Sequence, residues 1–175
     1  MVFGRQAIRQ LPDAIRQLGA RRAFVVADAI LDRLGIVAQV DEQLRTANCE
    51  RVNFTGGKAE PSLRLVEEAT AAARDFKPDV VIGLGGGSNM DVAKFVATLL
   101  AHGGSPRDYL GDGRIPGPTV PVIGIPTTAG TGSEVSGAAA FTDTDNSVKS
   151  ARSRIFSGRD SPLSIRCSRS VARRR

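Results

Sequence analysis

The sequence is poor in the residues that build disulfide frameworks and metal sites. Its 175 residues include two cysteines, one histidine and no tryptophan. Cys49 and Cys167 are too few for a disulfide scaffold and lack the spacing of a metal knuckle. His102 has no second histidine and no nearby cysteine with which to share a metal ion. We therefore predict no metal site from these residues, and a cytoplasmic protein with reduced thiols.

Long hydrophobic runs are also missing. No run approaches the ~20 apolar residues that a transmembrane helix needs, and we find no secretory leader at the start of the sequence. We accordingly expect no membrane partner. Hydrophobic residues still make up 41% of the chain, which is enough to fill a core and excludes disorder throughout.

The positive charge is concentrated at the C-terminal end. The formal net charge is +6, but residues 151–175 hold eight arginines and one acid, which leaves 16 basic and 17 acidic residues over 1–150. The end segment also has six serines and no helical or strand period. We predict two regions: a folded domain over residues 1–150 and a disordered Arg/Ser-rich tail over residues 151–175.

Hydrophobic periodicity predicts alternating strands and helices. Strand patterns occupy residues 23–27, 51–55, 80–84, 120–125 and 138–142, and amphipathic helix patterns occupy residues 7–18, 31–44 and 61–76 and the stretch that follows residue 88. Pro61 is expected at the first position of its helix. This order predicts an α/β fold, a Rossmann-like parallel sheet with helices on both faces.

A glycine-rich turn is the first candidate site. Residues 85–87 are three glycines that follow a predicted buried strand and precede a helix. Without Cβ atoms the backbone can approach a ligand closely, and a helix N-terminus favours a diphosphate. Ser88 and Asp91 have the spacing of a capping box, so a merely structural turn is the alternative. Neither the G-x-G-x-x-G pattern nor a P-loop is present, which argues against ATPases and GTPases.

A threonine-rich turn and an acid are expected at the same sheet edge. Residues 126–134 (PTTAGTGSE) follow another buried strand and could form a polar wall of a ligand site or an ordinary polar turn. Asp28 ends the first predicted buried strand. Its carboxylate there could accept hydrogen bonds from a ribose and repel a 2′-phosphate, or it could cap the next helix.

These motifs resemble the N-terminal domain of the iron-containing (group III) alcohol dehydrogenase family. The resemblance rests on GGGSxxDxxK over residues 85–94 and on residues 126–134, with support from residues 25–28 and 141–143. It covers the chain from about Phe3 to Lys149. The family implies a dehydroquinate synthase-like fold and an NAD(P)-dependent oxidoreductase, in which hydride passes between the nicotinamide and an alcohol, aldehyde or ketone. A divalent metal, usually iron, polarises the substrate oxygen.

The resemblance also implies roles for individual residues. Diphosphate binding would fall to Gly86, Gly87 and Ser88, with Asp91 near the coenzyme. Asp28 would favour NAD over NADP, although NADP stays possible. The remaining cofactor-binding residues would be Thr127, Thr128, Thr131 and Lys149. Glu60 departs from the family, since many relatives have asparagine there.

The resemblance also implies a C-terminal helical domain, which supplies an aspartate and three histidines to the metal, and we expect this domain to be absent. We therefore expect a chain that holds the cofactor-binding part but not the ligands for iron. The resemblance ends abruptly near Lys149, and we hypothesise that residues 151–175 are translated out of frame. Reading the coding DNA in the other two frames for a family-like continuation tests this hypothesis.

Several functional alternatives stay open at this point. The leading interpretation is a cofactor-binding part of an alcohol dehydrogenase that acts on a small alcohol or carbonyl compound and is a homo-oligomer at full length. A stand-alone nucleotide-binding module without catalysis is the second, and a maleylacetate reductase or glycerol dehydrogenase-like relative is the third. Nucleic-acid binding through the arginines of the tail has little support, because aromatic residues for base stacking are not interleaved with them.

Overall fold

Strands and helices alternate along the chain, as the hydrophobic pattern predicts. A computed structural model describes residues 2–4, 7–128, 130–143, 148–154 and 163–167. In chain order these form β1 (Val2–Gly4), α1 (Leu11–Leu18), β2 (Arg22–Asp28), α2 (Ala29–Arg33), α3 (Ile36–Thr46), β3 (Glu50–Gly57), α4 (Leu63–Arg74), β4 (Val80–Gly85), α5 (Gly87–His102), β5 (Val122–Pro126), β6 (Ala138–Asp143), β7 (Val148–Arg154) and β8 (Leu163–Cys167). Short 3₁₀ turns at Ala7–Gln10 and Pro106–Tyr109 precede α1 and follow α5.

Six of the strands form one parallel sheet. Their order is β1-β8-β5-β4-β2-β3, and each neighbouring pair is parallel. β6 and β7 form a separate antiparallel pair. The chain moves from β2 outward to β3 and then returns to β4 on the other side of β2. In open α/β sheets such a reversal of direction is where ligands bind, outside the carboxyl ends of the strands.

The sheet is covered on both faces, which confirms the predicted fold class. Alternate residues of β2, β4 and β5 point to opposite faces, as Val25 and Ile82 do on one side and Phe24 and Val81 on the other. The first face packs against α1, α2 and α3, and the second against α4 and α5. Burial of both faces explains why these strands are continuous apolar runs.

Two predicted helices differ from the observed ones. The helix expected over residues 31–44 is split into α2 and α3 by Gly35, which has a left-handed φ of 72°. The helix expected to start at Pro61 starts at Leu63, because Ser62 is its N-cap and accepts a hydrogen bond from the Leu65 amide at 3.3 Å. A side-chain cap therefore decides where α4 begins, and Pro61 lies just before it.

The segment predicted to lack regular structure contains described strands. β7 runs across residue 150 to Arg154, and β8 lies between β5 and β1 in the sheet. The LSIRC sequence of β8 alternates apolar and polar residues, and its backbone pairs with β5. The division into a domain over residues 1–150 and a disordered tail stays a prediction. The rest of residues 155–175 lies outside the described ranges. None of the described helices combines the length and apolar character that a membrane crossing requires.

Candidate functional site

The glycine-rich turn joins β4 to the first turn of α5. Gly85 has a φ of 131°, and a Cβ there would lie 2.5 Å from Nδ2 of Asn89, so only glycine fits this position. Gly86 is the N-cap of α5 in an extended conformation, with φ −81° and ψ 179°, and no side chain caps the helix. The amides of the first turn thus have no side-chain partner at this end, and their N–H groups are available to an anion.

The predicted capping box at Ser88 and Asp91 is wrong. Because α5 begins at Gly87, Ser88 lies inside the first turn and cannot act as its N-cap. The Asp91 carboxylate turns the other way and accepts hydrogen bonds from Oγ of Ser133 at 2.5 Å and from the Ala140 amide at 3.0 Å. The N-cap of α5 is therefore Gly86 and not Ser88. Asp91 instead connects α5 to the segment that contains Ser133 and Ala140.

The threonine-rich turn lies directly beside the glycine-rich turn. The Thr127 amide donates to the Gly85 carbonyl at 2.9 Å. A Cβ on Gly86 would lie 3.5 Å from Oγ1 of Thr128, and a Cβ on Gly87 would lie 3.3 Å from Cβ of Thr131. The missing side chains of the two glycines therefore leave a backbone cradle that is bordered by threonines.

Asp28 lies at the same sheet edge and caps a helix there. Its Oδ1 accepts hydrogen bonds from the amides of Ile30 and Leu31, both at 2.9 Å. Its Oδ2 accepts one from Nδ2 of Asn89 at 3.2 Å, and the same nitrogen donates to the Leu84 carbonyl at 2.9 Å. The N-cap interpretation is thus confirmed, and Asn89 connects the carboxyl ends of β2 and β4.

A buried lysine holds the threonine-rich segment against α5. Lys94 is 1% exposed, and its Nζ donates to Oδ1 of Asp91 at 3.2 Å, to Oγ of Ser133 at 2.9 Å and to the Ala138 carbonyl at 2.7 Å. Desolvation by burial lowers the pKa of Lys94, while the negative charge of Asp91 opposes this shift. The ion pair is shielded from water, so the two charges interact more strongly than a surface pair does.

A cleft of about 490 Å³ opens between these elements. Its walls include Gly87 and Ser88 from α5, Thr131 from the threonine-rich turn, and Phe141 from β6. Glu60 lies at the cleft with a left-handed φ of 51°, a conformation that favours asparagine over glutamate among non-glycine residues. The cleft wall combines hydroxyl groups and the two glycine-turn residues with the apolar side chains of Pro61 and Phe141, and the carboxylates of Glu60 and Asp91 also line it.

The structure brings most of the predicted site residues to one sheet edge. Asp28, the glycine cradle and the threonines all lie at the carboxyl ends of β2, β4 and β5. Lys149 lies in β7, and a coenzyme contact from it stays a prediction. The described residues include no group of three or more His, Cys, Asp or Glu side chains that could hold a metal ion.

Sequence reasoning missed the roles of Asn89, Lys94 and Ser133. All three are polar and buried, at 3%, 1% and 7% exposure, and buried polar groups require hydrogen-bond partners. Asn89 and Lys94 are polar residues at buried positions of α5. A polar residue at such a position in the helix pattern was the signal that could have indicated a buried hydrogen-bond partner. Ser133 lies in a polar turn, and nothing local distinguishes it from its neighbours.

In parallel α/β sheets, a helix N-terminus without a side-chain cap at the reversal of strand order is where domains of this class bind phosphates or dinucleotides. Residues 1–157 match the family model described as iron-containing alcohol dehydrogenase. The chain therefore belongs to the iron-containing alcohol dehydrogenase family, and the resemblance based on the two motifs is confirmed. The match extends past Lys149, where the motif-based resemblance ended.

Individual relatives agree with this assignment. The chain is 35% identical over 148 residues to the NAD-dependent methanol dehydrogenase of Bacillus methanolicus, a match that covers 85% of this chain and 39% of that protein. It is 44% identical over 132 residues to long-chain-alcohol dehydrogenase 1 of Geobacillus thermodenitrificans, covering 74% of this chain and 33% of that protein. The chain thus spans 39% and 33% of the lengths of these two relatives.

Solved structures show the same relationship. A 1,3-propanediol oxidoreductase superposes with a TM-score of 0.87 at 31% identity, covering 95% of this chain and 43% of that one. The NADH-dependent butanol dehydrogenase A of Thermotoga maritima superposes with a TM-score of 0.84 at 30% identity, covering 95% of this chain and 42% of that one.

Proposed function

We propose that this chain binds a nicotinamide dinucleotide through its diphosphate, as the coenzyme-binding part of an NAD(P)-dependent alcohol dehydrogenase. The observation that carries the proposal is the side-by-side placement of two glycines, Gly86 and Gly87, with Thr128 and Thr131 at the uncapped start of α5. The NAD-dependent methanol dehydrogenase and NADH-dependent butanol dehydrogenase among the similar proteins support this coenzyme class.

The cradle fits a diphosphate in shape and charge. Cβ atoms on the two glycines would occupy the space between the turns, so their absence leaves the backbone open to phosphate oxygens. The 16-residue helix α5 adds roughly half a positive charge at its N-terminus. We propose that the amides of the first turn and the Ser88 hydroxyl donate hydrogen bonds to the diphosphate.

Asp28 is proposed to bind the ribose next to this diphosphate. An ionised carboxylate has about four acceptor positions, and three hydrogen bonds from Ile30, Leu31 and Asn89 already occupy three of them. The remaining position on Oδ2 can accept a ribose hydroxyl. A 2′-phosphate would place two negative charges together, so the proposal favours NAD over NADP.

The proposed chemistry is hydride transfer. A bound nicotinamide would accept hydride from an alcohol or donate it to an aldehyde or ketone, and this chain's residues would hold and orient the coenzyme. We propose that Thr127, Thr128, Thr131 and Lys149 line its adenine and nicotinamide sides. The described residues do not fit an iron site, and we derive no step through iron. A small alcohol or carbonyl substrate, a homo-oligomeric full-length enzyme and a cytoplasmic location belong to the same proposal.

A coenzyme-binding module without turnover is the second candidate. It rests on the same cleft, which is lined by residues of this chain, and it requires only that the coenzyme bind there. The two candidates agree on binding and differ on activity.

Titration with NADH tests both candidates. Fluorescence titration should show saturable binding that ADP-ribose displaces, with NADPH weaker than NADH. The full chain should keep the same binding at 0.5 M salt, because salt screens non-specific attraction to the arginines of residues 151–175. Alcohol-dependent reduction of NAD then separates a dehydrogenase from a module. Absence of saturable NADH binding would overturn the proposed function.

A further inference from the structure

Three residues form a largely buried polar cluster beside the cleft, and the proposed coenzyme contacts do not use it. Asp91, Lys94 and Ser133, here named the Lys94 cluster, are joined by hydrogen bonds of 2.5–3.2 Å. Asp91 and Lys94 are one helical turn apart on α5, whereas Ser133 is 42 residues from Asp91. The cluster therefore connects the coenzyme-binding helix to a segment that is distant in sequence.

The hydrogen-bond pattern assigns an anchoring role to the lysine. An ammonium group has three protons, and Lys94 donates one each to Asp91, Ser133 and the Ala138 carbonyl. With every proton engaged, it has no free position from which to accept a proton from Ser133. The serine and lysine are therefore not arranged as a nucleophile with its general base, although they lie at hydrogen-bond distance beside a cleft.

Asp91 completes the link on the other side. Its Oδ1 accepts from Ser133 and Lys94, and its Oδ2 accepts from the Ala140 amide at 3.0 Å. Three of its four acceptor positions are thus used within the protein. These hydrogen bonds tie the carboxylate to Ser133 and Ala140, although Asp91 also borders the cleft.

The linked segment is also one wall of the cleft. Thr131 precedes Ser133 by two residues, and its Cβ lies 3.3 Å from the position of a Cβ on Gly87. Ala140 and Phe141 line the same cleft. Any movement of residues 131–141 away from α5 would widen the cleft beside the first turn of the helix.

We propose that the Lys94 cluster is a positioning device that holds residues 131–141 against α5 and so sets the width of the diphosphate cleft. The proposal rests on the proposed function and changes the role of Asp91 from a coenzyme neighbour to a positioning residue. Its physical basis is that the buried ammonium group of Lys94 tolerates displacement of its partners poorly, because separation from Asp91 leaves this charge without water or a counter-charge.

Hydrogen exchange and ligand binding together test the proposal. The variants are Ser133→Ala, which removes the bridging hydroxyl, and Asp91→Asn, which removes the charge. Thr98→Val is the matched control: Thr98 is buried on α5 and donates to the Lys94 carbonyl at 3.0 Å, on the helix itself. We expect exchange of the Ala140 amide to rise about tenfold or more in both cluster variants, and to stay within twofold of wild type in the control.

In the cluster variants, the affinity should fall for ligands that contain a diphosphate and stay unchanged for a ligand that lacks it. NADH and ADP-ribose, which contain the diphosphate, should each bind about five- to tenfold more weakly to the cluster variants. Adenosine, which lacks it, should bind within twofold of its wild-type affinity. A purely structural loss of stability would weaken all three ligands alike or none of them.

Two results would overturn the inference: unchanged Ala140 exchange with unchanged NADH affinity in Ser133→Ala and Asp91→Asn, or equal weakening of NADH and adenosine. A wild-type chain that binds no NADH would instead overturn the proposed function. In that case the exchange measurement still decides by itself whether the cluster holds the segment.

Discussion

Replacing Gly86 by alanine separates coenzyme binding from folding. Its φ of −81° and ψ of 179° are accessible to alanine. The added Cβ would lie 3.5 Å from Oγ1 of Thr128, which is an ordinary van der Waals distance. We therefore expect Gly86→Ala to change the free energy of unfolding by no more than about 0.5 kcal/mol.

The same methyl group occupies the proposed phosphate cradle. Hydrogen bonds to a charged group contribute about 1.5–3 kcal/mol each. Loss of one such bond corresponds to an affinity lower by about 10-fold to about 150-fold. Fluorescence titration with NADH measures this loss, and urea unfolding measures the stability of the same preparation.

Two further variants make the result interpretable. Gly117→Ala is the control, because its Cβ would lie 3.8 Å from Cε1 of His102 at the far end of α5, and both properties should be unchanged. Gly85→Ala should instead lose stability, since its φ is 131° and its Cβ would lie 2.5 Å from Nδ2 of Asn89. If Gly86→Ala folds normally and binds NADH as tightly as wild type, no phosphate lies against Gly86 and the reasoning is refuted.

Three other predictions follow from single residues. Glu60→Asn should raise the free energy of unfolding by about 0.5–1 kcal/mol in urea, because asparagine tolerates the left-handed φ of 51°. It should also tighten NADH binding, because it removes a carboxylate from the cleft. An unchanged stability and an unchanged NADH affinity would contradict these two expectations. Asp28→Asn keeps an N-cap but removes the charge, so the NADPH/NADH ratio of dissociation constants should fall, and a constant ratio would exclude Asp28 as the ribose acid. Burial is the main cause that raises the pKa of Cys49 from 9.0 to about 11. The buried protonated thiol therefore stabilises the folded state fully below pH 9, and this stabilisation is lost as the pH rises to 11. In urea unfolding, the stability of Cys49→Ala should fall less than that of wild type between pH 9 and pH 11.

Much of the fold could be predicted because its signals are local. Strands buried on both faces require continuous apolar runs, as over residues 80–84, and helices on the sheet require an apolar stripe. The helix boundaries were less predictable. Gly35 separates α2 from α3 by its left-handed backbone conformation, and Ser62 sets the start of α4 by its side-chain cap. The hydrophobic periodicity shows neither effect. β8 was missed because five residues of alternation inside an arginine-rich segment carry little signal until the edge of β5 pairs with them.

The candidate site likewise has features that local sequence determines and features that depend on tertiary structure. The amino-acid order alone determined that three glycines follow a buried strand, that threonines follow the next, and that Asp28 ends an earlier one, since these are properties of neighbouring residues. Only the tertiary structure decided which polar groups became partners: Asn89 with Asp28 across 61 residues, and Ser133 with Asp91 across 42. Partners so far apart are selected by burial, because a polar group removed from water must bond to whatever the packed chain places within reach.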